Sequence, residues 1–126
     1  MTEGTRFDPD VLRAFISRVF VAAGIPRDDA NLVADLMTRS DLEGSDTHGI
    51  FRLKMYVGAV LAGKTSKTPN IHIERESGNT AVVHGDDGLG HLAMNFATKL
   101  AIKKAKENGM SWIGINHGNH AGPASL

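Results

Sequence analysis

The chain has 126 residues, enough for one ordinary domain or two very small ones, and its 41% hydrophobic and 22% charged residues argue against disorder. Its 14 Lys plus Arg balance 14 Asp plus Glu, so no basic excess exists to neutralise a nucleic-acid backbone. With no cysteine and no run of about 18 apolar residues, the described chemistry excludes disulfides, thiolate metal sites, thiol catalysis and a membrane span.

The polar start MTEGTRFDPD lacks the apolar core of a signal peptide, which fits a cytoplasmic protein. Asp8 and Pro9 form a helix start, a capping carboxylate followed by a proline whose missing N–H does no harm. Val11, Leu12, Phe15, Ile16, Val19 and Phe20 follow at helical spacing up to Gly24. Pro26 opens a second helix with Asp28 and Asp29 in its first turn, where the helix dipole favours them. Ala30, Val33, Leu36 and Met37 supply its apolar stripe, and Gly44 stops it after about Glu43.

A third helix is predicted from a cap at Asp46 or Thr47 to about Ala62, with Gly63 past its end. His48, Arg52 and Tyr56 recur every four residues and would share one face of it. Ile50, Leu53, Val57, Val60 and Leu61 would form the buried face. Three apolar stripes on short-linked helices can bury one another in a small bundle.

Lys64 to Asn70 (KTSKTPN) reads as a linker, after which the period changes. Ile71 and Ile73 alternate with His72 and Glu74, Ser77-Gly78-Asn79 is a turn, and Thr80 to His84 is a second strand, so the pair predicts a hairpin. Gly85 to Gly90 (GDDGLG) leads into a helix. Its glycine spacing fits neither a dinucleotide nor a P-loop pattern, and its two aspartates would repel a phosphate, so it reads as a turn. His91 to Asn108 is a helix with Leu92, Phe96 and Leu100 inward and Lys99, Lys103, Lys104 and Lys106 outward, ended by Gly109. Met110 to Asn116 is a short apolar strand ending in HGNHAGP.

The chemistry-bearing residues fall in two places. Arg52 offers a planar fork for a carboxylate, His48 can give or take a proton near neutral pH, and Tyr56 adds a hydroxyl. The same spacing also describes the solvated face of an ordinary helix. His120 sits in the loop at the carboxyl end of a strand, where α/β proteins place chemistry, and Ala121 and Gly122 would let a ligand approach the backbone. His117 and His120 could pair on a metal, but two histidines without acidic or thiol partners at a known ligand spacing are a weak signal, and no metal is expected. His72, His84 and His91 carry no functional reading.

Asp41 to Tyr56 (DLEGSDTHGIFRLKMY) resembles the malate/L-lactate dehydrogenase type 2 family, which includes ureidoglycolate, sulfolactate and 2,3-diketogulonate oxidoreductases. Residues 81 to 125 are similar to that family's glycine-rich turn, helix, strand and terminal Asn-His pair, and the resemblance extends over nearly the whole chain from residue 8. It implies an NAD- or NADP-dependent oxidoreductase interconverting a 2-hydroxy acid and its 2-oxo partner, with an α/β, non-Rossmann fold. It implies a helical domain over residues 1–66 and the beginning of an α/β domain over 67–126. Family histidines matching His48 and His120 have each been assigned the acid/base role in different members; His120 is the expected group here, with His48 beside it in the same pocket. Arg52 would bind the substrate carboxylate, supported by Thr47 and Tyr56, while His48, His120 and Gly122 would border the cofactor. Thr47 stands where the family usually has serine, and Ala121 where it often has an aromatic residue. Family members run well past residue 126 and form homodimers, and most of the nicotinamide surface lies in their later part. The chain therefore reads as an N-terminal portion, inactive by itself. The alternative is a non-catalytic piece that binds a small carboxylate or a partner chain.

Overall fold

A computed structural model describes residues 4–124. Helix α1 (Pro9–Ala22) begins where the Asp8 carboxylate accepts from the backbone N–H groups of Asp10 and Val11. Helix α2 (Arg27–Leu42) follows Pro26 and carries Asp28 and Asp29 in its first turn. It ends at Gly44, whose φ of 80° is a left-handed conformation that a side chain would oppose. A single 3-10 turn (Ile50–Arg52) precedes the short helix α3 (Leu53–Leu61). The hairpin β1 (His72–Ser77) and β2 (Thr80–His84), the long helix α4 (Gly90–Asn108) and the strand β3 (Trp112–Asn116) complete the order.

The sheet runs β1-β2-β3, with β1 antiparallel to β2 and β3 parallel to it. A parallel neighbour requires a crossover, and α4 is that crossover. Ala81 and Val83 of β2 and Ala93 and Ala97 of α4 are buried, while β1 is exposed along its length. A single apolar cluster joins Ile16, Phe20, Val33, Met37, Leu53 and Val60 of the helices to Leu89 and Leu92 at the start of α4. The beginning of α4 thus lies against the helical region while its remainder covers the sheet.

Three packing expectations are corrected. Val11 and Phe15 are exposed, leaving Ile16 and Phe20 as the fully buried pair of α1, because α2 meets only one side of that wide stripe. Lys104 is buried rather than solvated: its ammonium group donates to the Gly78 carbonyl at 2.9 Å and pairs with Glu76 at 2.8 Å. Its charge thus reaches from α4 to the hairpin turn, as long amphipathic side chains can. The third correction, at α3, shapes the site. No helix among the described residues is long and apolar enough to cross a membrane.

Candidate active site

Helix α3 begins at Leu53, six residues after Thr47, and neither Asp46 nor Thr47 caps it. The Thr47 hydroxyl instead meets His48 Nδ1 at 3.0 Å. The carboxylate that opens this segment comes from α2: Asp41 accepts from the Ile50 N–H at 2.9 Å, over Gly49. A Cβ on Gly49 would fall onto that carboxylate. Burial pushes the Asp41 carboxyl above its usual range, and the Ile50 N–H opposes the shift.

The later start redistributes the side chains. Tyr56 is 5% exposed and shares the buried stripe with Leu53 and Val60, whereas Ile50 and Leu61 are exposed. His48 lies in a turn before the helix, so His48, Arg52 and Tyr56 do not form one solvated helical face. They still converge, through tertiary contacts. Arg52 Nε donates to the Thr47 carbonyl at 2.9 Å, which folds its guanidinium back over the turn that carries His48.

The second half of the site arrives from the loop after β3. His120 Nδ1 lies 2.7 Å from the Tyr56 hydroxyl, and the His120 ring stacks on His48 with centroids 5.5 Å apart and planes 19° from parallel. Gly122, in a left-handed conformation, directs its N–H at the same Nδ1 from 3.4 Å. His120 Nε2 is bonded to no described residue, and the ring is exposed.

The glycine-rich turn holds that loop. Asn119 donates its amide to the carbonyls of Asp87 and Gly88, both at 2.9 Å, and the Asp87 N–H donates to the His117 carbonyl. Gly90 lies so close to the Asn119 and His120 carbonyls that a Cβ would collide with both. The close approach that a glycine-rich turn permits is therefore taken up by the protein's own backbone.

Charge at the site is one-sided. Partial burial lowers the affinity of His120 for a proton, and the positive charges of Arg52 and then His48 lower it further. Burial pushes the Tyr56 phenol up to about 12, against the opposing pull of Arg52. Tyr56 is thus a neutral hydroxyl that can donate to a bare Nδ1 or accept from an Nδ1–H. It can hold the His120 ring in either protonation state and leave Nε2 to meet a ligand.

The other histidines divide into two groups. His91 is fully buried at the start of α4, edge-to-face with Tyr56. His72, His84 and His117 line up on the sheet, with neighbouring ring centroids 5.2 Å and 4.5 Å apart. Glu74 and Asn116 adjoin His84, and Asp87 lies 3.7 Å from His117. His117 thus belongs to the sheet group rather than pairing with His120. Among the described residues no group of three His, Cys, Asp or Glu side chains is placed to hold a metal ion.

Sequence reading found the five side chains that converge but not their supports. Asp41, nine residues from its partner Ile50, leaves no local periodic signal. The sequence places Gly90 in a turn and gives His91 no role. The one signal for His91 was its position among Gly90, Leu92 and Ala93 in the first turn of an inward-facing helix.

The malate/L-lactate dehydrogenase family pattern matches residues 7–126. A malate dehydrogenase of Pyrococcus horikoshii is 40% identical over 119 residues, 94% of this chain and 33% of that protein. An L-sulfolactate dehydrogenase of Methanocaldococcus jannaschii is 39% identical over 116 residues, 92% of this chain and 34% of that protein. The solved malate dehydrogenase structure from Pyrococcus horikoshii superposes with a TM-score of 0.89 at 38% identity, covering 98% of this chain and 38% of that one. The chain spans about a third of the length of the curated relatives it matches. A match along nearly all of its residues, in sequence and in fold, places this chain in the malate/L-lactate dehydrogenase family.

Proposed function

We propose that this chain carries the proton-exchanging and carboxylate-binding half of an NAD(P)-dependent dehydrogenase that interconverts a small 2-hydroxy acid and its 2-oxo acid. The observation that carries the reading is the Tyr56 hydroxyl 2.7 Å from His120 Nδ1, beside the Arg52 guanidinium whose charge depresses the basicity of that ring.

His120 is the group that exchanges the proton with the substrate oxygen. In the oxidation direction the reacting tautomer carries its proton on Nδ1, which donates to the Tyr56 oxygen, so the long Gly122 N–H contact is not a hydrogen bond in that tautomer and the substrate hydroxyl gives its proton to the free Nε2. In the reduction direction the same imidazolium returns the proton to the carbonyl oxygen. A base with lowered proton affinity is present in its neutral form over a wider range of pH, and general acid–base catalysis is most effective when the pKa lies near the working pH. Arg52 binds the substrate carboxylate through its terminal nitrogens, since its Nε is already committed to the Thr47 carbonyl. Thr47 holds His48 by its hydroxyl and Arg52 by its carbonyl, and His48 backs the His120 ring.

The one contribution asked of a nicotinamide, when bound, is hydride exchange at the substrate carbon. The flat, exposed His120 ring beside Ala121 and Gly122 suits the approach of such a ring, so His48, His120 and Gly122 are the residues that would border it. Its phosphates find no cradle in the glycine-rich turn, where the Asn119 and His120 carbonyls fill the space and Asp86 and Asp87 add like charge. The remaining expectations stand with this reading: a homodimer, a cytoplasmic location, and a helical part over 1–66 followed by the opening of an α/β part over 67–126.

The test is turnover of malate- and sulfolactate-sized 2-oxo acids with NADH and NADPH in the enzyme that contains this segment. His120→Ala should lower turnover by roughly 10²-fold or more, the usual contribution of general acid–base catalysis. Unchanged turnover would remove His120 from the mechanism.

A further inference from the structure

Residues 47–52 close on themselves. The Thr47 carbonyl accepts from Arg52 Nε at 2.9 Å, and the Gly49 carbonyl accepts from the Arg52 N–H at 3.0 Å. The turn so formed carries both the His48 ring and the Arg52 guanidinium. Among the described residues it has one hydrogen bond to α2, from the Ile50 N–H to the Asp41 carboxylate at 2.9 Å. The same carboxylate fills the space that a Cβ on Gly49 would need, so it meets the turn at two adjacent residues. An N–H donating to a carboxylate is among the stronger hydrogen bonds. His120 is placed independently of all this. Its loop is held by Asn119 on the glycine-rich turn, and its Nδ1 faces Tyr56 of α3. Where His48 and Arg52 stand against His120 therefore depends on how the 47–52 turn is anchored.

We propose that Asp41 is a positioning residue of this site: by anchoring the 47–52 turn to α2, it sets where the Arg52 guanidinium and the His48 ring stand relative to His120. This rests on the reading of Arg52 as the carboxylate-binding group and His120 as the proton-exchanging group. Asp41 acts through the turn alone, by an oxygen that accepts from Ile50. Two effects follow from its loss. A guanidinium that drifts loses its aim at the substrate carboxylate. Burial, then the charges of Arg52 and His48, hold down the proton affinity of His120, and retreat of the turn relieves all three. The titratable groups around His120 are His48 and Arg52 on the turn, Tyr56 on α3 and His91 at the start of α4; only the first two ride on the turn. The sign separates geometry from charge. Removing a negative charge can by itself only lower the proton affinity of an imidazole, so a rise reports the displaced turn.

The test uses the enzyme that contains this segment, with carbon-13 in its histidines, and reads the titration of His120 by NMR; its signal is assigned by its loss in His120→Gln. In Asp41→Ala, His120 should titrate at higher pH than in the parent. KM for the 2-oxo acid should rise roughly tenfold, the worth of one charge-assisted hydrogen bond, with a smaller change in kcat. Asp41→Asn loses the same charge but keeps an accepting oxygen, and should return both quantities to the parent values. An aspartate that merely supported the fold would neither raise the titration nor separate KM from kcat. An unmoved or lowered His120 titration in Asp41→Ala overturns the proposal, as does an Asp41→Asn enzyme that behaves like Asp41→Ala. Circular dichroism and thermal melting establish that each variant is folded. If Asp41→Ala does not fold, Gly49→Ala, whose methyl group would occupy the place of the carboxylate while its charge is kept, is judged by the same criteria. The titration needs no substrate, so absence of turnover in the parent would count against the proposed function and leave the anchoring result standing.

Discussion

The Tyr56 hydroxyl and His120 Nδ1 are 64 residues apart in the chain and 2.7 Å apart in space. Tyr56 comes from a helix of the N-terminal region and His120 from the loop after the last strand, so this bond ties the two halves of the site together. Burial keeps the phenol neutral, which makes it a partner for the imidazole and not a competing base.

Tyr56→Phe removes the hydroxyl and leaves a ring that still fits between Leu53 and Val60. The fold should survive. Loss of one neutral hydrogen bond predicts about a fivefold fall in kcat with little change in KM, measured by steady-state kinetics on the enzyme containing this segment. A kcat equal to the parent's would mean that the bond does not reach the chemistry.

Arg52→Gln removes the positive charge that depresses the proton affinity of His120 most. A guanidinium disfavours a neighbouring imidazolium, so its loss should raise the His120 pKa, and the acid limb of the oxidation rate should move to higher pH. His48→Ala should act in the same direction and less strongly. Proton NMR titration of His120 in the free chain checks this directly, and an unmoved titration in a folded Arg52→Gln variant would refute it.

Gly90→Ala adds a methyl group where the Asn119 and His120 carbonyls already lie. Those are backbone atoms and cannot swing aside as a side-chain tip would. The loop must retreat, and His120 with it. Misplacing a reacting group by about 1 Å can cost 10²-fold in rate, so turnover should fall by roughly that factor while the far-ultraviolet spectrum stays that of the parent.

His91 makes stability depend on pH with a definite sign. Its proton affinity is depressed in the folded chain, to about 4 from 6.5, first by burial and then by the charge of His120. Between those values the unfolded chain binds the proton and the folded chain does not. The free energy of unfolding should therefore fall as pH drops through this window, by about 3 kcal/mol in all. Urea midpoints at the two ends of the window measure the slope, and His91→Leu should flatten it. An equal slope in both proteins would assign the acid sensitivity elsewhere.

Much of this architecture was legible in sequence because its signals are local. Asp8 as a cap, Gly44 and Gly109 as helix ends, the change of period after residue 70 and the turn at Gly78 each act within a few residues. The start of α3 was not legible. The sequence offers Asp46 and Thr47 as local caps, but Asp41 reaches the Ile50 N–H from a neighbouring helix, and the helix begins later. The same shift moved Tyr56 from an expected polar face into the core.

The sequence by itself determined which chemistry is present: a guanidinium, two imidazoles and a phenol on two separated motifs, with glycines where the backbone must turn. Only the tertiary structure decided that His120 stacks on His48, that Tyr56 is buried beneath it, and that His91 meets the Tyr56 ring edge-to-face. The reason is physical. Caps and turns depend on a residue's immediate neighbours, whereas the burial of a phenol and the proton affinity of an imidazole depend on what the folded chain brings against them from far along the sequence.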